Sequence, residues 1–209
     1  MRRGLLSAVL LLALAGAAAA CGESASTKAA SSKTPTCPKA WRAGWQKLAN
    51  RIAAPVYCPG WIPQQVTGQI EGHSIDIKSV KSDRSYLISF LEAEHDAGGI
   101  SSEVHINLRG YPGRMSVPTC LQVDLRAGVR VTHKIPCFAD PRGHKRVPGI
   151  DATLYTVNQD VDMWHLLYAW RHGGSLYAIS EHVIPPYTYR QVLANLNRML
   201  RSLVLIEPS

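Results

Sequence analysis

From residue 64 to residue 183 the chain is written largely in short alternating segments. Nine of them, "QQVTGQIEG", "SIDIKSV", "RSYLISFLEA", "SEVHINLRG", "CLQVDLRA", "VRVTHKIP", "ATLYTVNQ", "MWHLLYAW" and "SLYAISEHV", are separated by Gly, Asp, Asn, Ser or Pro turns. Most alternate apolar with polar residues or carry β-branched and aromatic side chains, the pattern of strands with one buried face. The "RHGG" between the last two is a tight hairpin signal. A chain so punctuated is expected to form an antiparallel sheet.

Helical spacing occurs at the two ends of this run. In "CPKAWRAGWQKLANRIAAP" the residues Trp41, Trp45, Leu48 and Ile52 recur at intervals of four, three and four, with Pro38 at the first turn and Pro55 as the stop. Two tryptophans on such a stripe suit a carbohydrate or lipid platform, but the spacing favours burial against a sheet. In "PPYTYRQVLANLNRMLRSLVLIEPS", Thr188 and Gln191 form a capping-box pattern, and Val192, Leu196, Met199, Leu200 and Leu203 make one apolar face. "LVLI" is written to continue as a short edge strand. The expected fold class is α+β, an antiparallel β-sheet meander covered by an N-terminal and a C-terminal helix.

The start of the chain has a different grammar. Arg2 and Arg3 precede a mostly apolar run, Leu5 to Leu14, and then small residues reach Cys21. That run is shorter than the roughly 20 apolar residues of a spanning helix, so export is the expectation. The ending Ala18-Ala19-Ala20-Cys21 resembles the bacterial lipobox, with Ala18 where lipoboxes usually carry a branched aliphatic, and the resemblance implies lipidation of Cys21. Parity points the same way, because the chain has five cysteines and an odd thiol in an oxidising compartment is a liability. Residues 1–20 are thus expected to be a signal peptide and 21–36 a lipidated cysteine with a flexible tether, whose Ser, Thr, Ala and Lys residues cannot bury enough surface to order it. Fifteen residues of such coil reach about 20 Å on average. Residues 37–209 then make one α+β domain.

Four cysteines remain. Cys120 and Cys137 lie symmetrically about "RAGVRV", so a hairpin turning near Gly128 brings them face to face, and Cys37 and Cys58 flank the first helix. If residues 40–52 are helical they span about 20 Å, and six extended residues after Ile52 just return that distance. A zinc site competes for the same cysteines, but the chain has no CxxC pair and its compartment is oxidising.

Loss of the signal removes Arg2 and Arg3, so Lys and Arg fall from 23 to 21 against 15 acids, a charge of +6. The densest basic cluster, Arg142, His144, Lys145 and Arg146 in "DPRGHKRVPG", reads as a solvated turn between two prolines; Arg142, Lys145 and Arg146 are its candidates for contact with anionic lipid or wall polymer. Export excludes nucleic acid as a partner. Eight histidines are scattered singly, with no HxH, HxxxH or HExxH. One acidic cluster, Glu92, Glu94, His95, Asp96, Glu103 and His105, surrounds a Gly-containing turn, and Glu94, His95, Asp96 and His105 are the donors it offers a divalent cation; a solvated hairpin tip is the simpler account. No serine lies in a GxSxG elbow and no glycine loop is written for phosphate, so no catalytic residue or cofactor is expected.

"PVYCPGWIP", with its P-x-Y-x-P-x-x-x-P spacing, and "HLLYAWRHGGSLYAIS", with W-x-x-G-x-x-x-Y, followed by a helix ending in "RSLVLI", resemble a poorly characterised class of small α+β domains in bacterial lipoproteins and membrane-anchored proteins. The resemblance implies a sheet with helices and a binding or sensory role outside the membrane, and brings no catalytic residues. The expectation is therefore a lipoprotein of the cell envelope, held to the membrane by its N-terminal lipid, with a non-catalytic domain for an unidentified protein, lipid or wall partner. The alternative is a metal-binding protein or metal-dependent enzyme using the segment from Glu92 to His105.

Overall fold

The apolar stripes and alternating segments become two helices and ten strands among the described residues of the computed structural model, which are 34–64, 66, 80–91, 104–157 and 164–209. In chain order they are α1 (Lys39–Ile52), β1 (Val56–Pro59), β2 (Tyr86–Leu91), β3 (His105–Tyr111), β4 (Thr119–Arg126), β5 (Val129–Pro136), β6 (Pro141–Val147), β7 (Ile150–Val157), β8 (His165–His172), β9 (Ser175–His182), α2 (Tyr189–Ser202) and β10 (Leu203–Ile206). The fold is mixed α+β, and every strand pair in it is antiparallel. Residues 1–33, with the expected signal segment, Cys21 and most of the expected tether, lie outside the described residues, as do nearly all of the first two alternating segments.

The main sheet has six strands in the order β2-β3-β9-β8-β7-β6. A simple meander holds only from β6 to β9. The hairpin of β2 and β3 joins this meander through β9, so two strands distant in sequence become neighbours. Gly173 and Gly174, both at positive φ, close the β8–β9 hairpin, the conformation a two-residue primed turn requires. That turn makes Trp170 and Tyr177 cross-strand partners, with ring centroids 6.0 Å apart.

The basic "PRGHKRV" is β6, an edge strand and not a turn. Pro141 and Pro148 do not forbid this: one opens the strand and the other follows it, where neither must donate a ladder hydrogen bond.

One face of the sheet contributes Ile88, Phe90, Ile106, Leu108, Tyr168 and Ile179 to a core that also contains Trp45, Leu48 and Ile52 of α1 and Val192, Leu196, Met199 and Leu200 of α2. The tryptophans of α1 divide: Trp45 is fully buried, and half-buried Trp41 stacks on it at 5.6 Å. Burying a large apolar side chain contributes roughly 2 to 3 kcal/mol, so spacing on this stripe records core packing. The first strand pairs with β10, and side chains brace it: Trp45 Nε1 donates to the Tyr57 carbonyl and the Tyr177 hydroxyl to that of Pro55, each at 2.9 Å. A disulfide joins Cys37 to Cys58 beside it.

The opposite face of the sheet has its own apolar group, in which Leu167, Ala169, Leu176 and Ala178 meet Cys137 and Phe138. Here the chain enters and leaves the β4–β5 hairpin, and a second disulfide joins Cys120 to Cys137. The cross-strand partner of Cys120 is Ile135, because the turn sits at Ala127 and Gly128, both at positive φ, one residue earlier than the cysteine symmetry suggests. Cys137 lies just beyond β5, where its amide donates to the Pro118 carbonyl.

Candidate functional site

Strand register assembles what spacing kept apart. His165 of β8 pairs with His182 of β9, and His105 stands one residue beyond the Ile106–Glu181 pair, so three imidazoles form a row across β3, β9 and β8. Ring centroids are 4.9 Å apart for His165 and His182, 5.1 Å for His105 and His182 and 4.6 Å for His105 and His165. Strand alternation puts Asn107 and Ser180 on the same face, one rung along, and the Ser89 hydroxyl donates to Asn107 Oδ1 at 2.7 Å. Arg109 follows one rung further, so this end of the face is polar and largely buried while the other end is apolar.

The ring of His105 is tilted by 56° to that of His165 and by 49° to that of His182, so it meets the other two at an angle. Among the described residues no group of three His, Cys, Asp or Glu side chains is arranged to hold a metal ion. The rings of His165 and His182 are within 7° of parallel, a stacked pair and not a chelating one.

Behind the row, on the helix side, lies a fully buried carboxylate. Glu181 of β9 sits between Ile106 and Leu166 and accepts a 2.7 Å hydrogen bond from Asn195 of α2. Burial pushes its carboxyl up to about 7, and the Asn195 hydrogen bond opposes that rise.

The β4–β5 hairpin presents the opposite kind of surface. Leu121, Val123 and Leu125 alternate along β4 on one face and are 60%, 46% and 76% exposed, and Val129 at the turn is 63% exposed. Period two predicts a strand with a buried face. These side chains instead face solvent, because each strand of the hairpin pairs only with the other among the described residues. An isolated two-stranded ribbon is marginal in water, and here a disulfide staples its base.

The basic cluster of β6 is divided by the same alternation. Lys145 shares a side with Ala152, whereas Arg146 lies on the other and pairs with Asp151 at 2.9 Å. Arg142 is exposed at the start of the strand. The three candidate cations therefore do not form one surface. Of the acidic segment only His105 is described; Glu92, Glu94, His95, Asp96 and Glu103 lie outside the described residues.

Sequence reading missed His165, His182 and Glu181. The first two were legible, since they are equally far from the centre of the Gly173–Gly174 turn, and recognising that hairpin fixes them as partners. His105 was not, because it reaches the row through the pairing of β3 with β9, which no turn specifies. Comparison with protein-family models, curated proteins and solved structures finds no match for this chain.

Proposed function

We propose that the chain is an exported bacterial lipoprotein, anchored in the cell envelope by lipid on Cys21, whose domain from residue 37 onward is a non-catalytic binding module. On this proposal the two helices cover one face of the sheet, and the hairpin of β4 and β5 makes the contact. The observation that carries it is that hairpin, which keeps Leu121, Val123, Leu125 and Val129 in solvent where a fold without a partner would bury or replace them. Its disulfide fixes an element that has no core of its own.

Lipidation draws support from the cysteine pairing. Four of the five cysteines are joined as Cys37–Cys58 and Cys120–Cys137, which leaves Cys21 as the odd thiol after the signal-like run. The likeness to the small α+β domains of lipoproteins and membrane-anchored proteins supports a binding role of this kind.

Expression in a bacterial host with fractionation tests the anchor. Cys21→Ala should move the processed protein from the membrane to the soluble fraction. Retention in the membrane after signal cleavage would sink the anchor proposal.

A further inference from the structure

We propose that the β4–β5 hairpin docks on an anionic lipid surface, with its turn entering the headgroup region. This deepens the binding role proposed for the hairpin, and it does not depend on the lipid at Cys21. One face of the hairpin carries Leu121, Val123 and Leu125 on β4 and Arg130, Thr132 and Lys134 on β5, because Leu121 pairs with Lys134, Val123 with Thr132 and Leu125 with Arg130. A row of three aliphatics thus lies beside two cations on a single face, and that face has no acid. The one acid of the hairpin, Asp124, lies on the other face, 3.4 Å from His133.

Charge decides the occupant. A second copy laid on this face would bring another set of cations with no carboxylate to meet them, whereas an anionic membrane supplies negative charge at the depth where long basic side chains place their heads. The turn decides the mode. Leu125 and Val129 flank Ala127 and Gly128 on opposite faces of the ribbon, so each face of the turn carries one exposed aliphatic. A rigid protein surface would cover one of these faces; a fluid interface surrounds both. Each eight-residue strand is about 25 Å long, which separates this turn from the disulfide at the base.

The test uses the exported full chain carrying Cys21→Ala, so that no lipid anchor contributes, and sedimentation with two kinds of vesicle. One is pure phosphatidylcholine, and the other contains an equal part of phosphatidylglycerol. The parent should sediment with the anionic vesicles and not with the neutral ones. Arg130→Gln with Lys134→Gln should weaken that binding about 30-fold, since each cation near such a surface contributes on the order of a factor of five. Leu125→Ser with Val129→Ser should weaken it at least about tenfold, from lost apolar burial. All four positions are exposed, and unchanged melting temperatures will show that the fold is intact. The inference is overturned if the parent ignores anionic vesicles, which would leave the surface to an acidic protein partner. It is equally overturned if the parent binds both vesicles alike, or if either paired variant binds as the parent does. Failure here leaves the Cys21 fractionation result untouched, so the two proposals fail separately.

Discussion

Asn195 of α2 donates a 2.7 Å hydrogen bond to Oε1 of Glu181 in β9, and Oε2 of the same carboxyl has no hydrogen-bond partner among the described residues. This contact helps tie the last helix to the sheet while leaving one oxygen of a buried acid unsatisfied. Burial favours the neutral form, which is why the carboxyl titrates near 7 and not at its ordinary 4.5. Its folded value lies above its unfolded one, so between these pH values the unfolded chain has released a proton that the folded chain keeps. Stability from this group is therefore full below about pH 4.5 and is lost as pH rises towards 7. Glu181→Gln should gain on the native protein over that window by about 3 kcal/mol, measured as urea unfolding at a series of pH values. Parallel curves would show that the carboxyl is not buried as described.

Tyr86 and Gly110 are cross-strand partners, and the tyrosine ring occupies the space that a Cβ on Gly110 would need. The ring is buried and cannot step aside. Gly110→Ala should cost about 1 to 3 kcal/mol through overpacking, read as a lower urea midpoint. Gly143 of β6 has nothing near the equivalent position, and Gly143→Ala should stay within about 0.5 kcal/mol of the native protein. Equal effects at the two glycines would refute the packing of the ring.

The Cys120–Cys137 disulfide closes a separation of 17 residues, and the loop-entropy model assigns such a link about 3 kcal/mol. Replacing both cysteines with Ala should lower the melting temperature. Amide exchange should locate the loss: Val123 and Val131 should lose protection while Leu108 and Ile179 in the main sheet keep theirs. Uniform loss across both sheets would mean that the hairpin is not an independent element.

At the start of α2 the Thr188 hydroxyl accepts from the Gln191 amide at 3.3 Å, and Gln191 Oε1 accepts from the Thr188 amide at 2.9 Å. Thr188→Ala should cost about 1 kcal/mol and Thr188→Ser close to nothing, since serine keeps the cap. A serine variant as unstable as the alanine one would show that the methyl group, and not the hydroxyl, matters there.

Local chemistry determined everything in this protein that depends on a few neighbouring residues. Thr188 with Gln191 marked the helix start, the stripe of Val192, Leu196, Met199 and Leu200 marked its buried face, and "RHGG" marked the β8–β9 turn. The two disulfides were also legible, because each joins cysteines about twenty residues apart around one helix or one hairpin. Only the tertiary structure decided which strands meet. The pairing of β3 with β9 brings His105 to His165 and His182, and a period of two says which face a side chain takes but not which distant strand lies beside it. The same holds for Leu121, Val123 and Leu125. Alternation specifies an apolar face, and burial requires a second surface, which the structure withholds from this hairpin among the described residues.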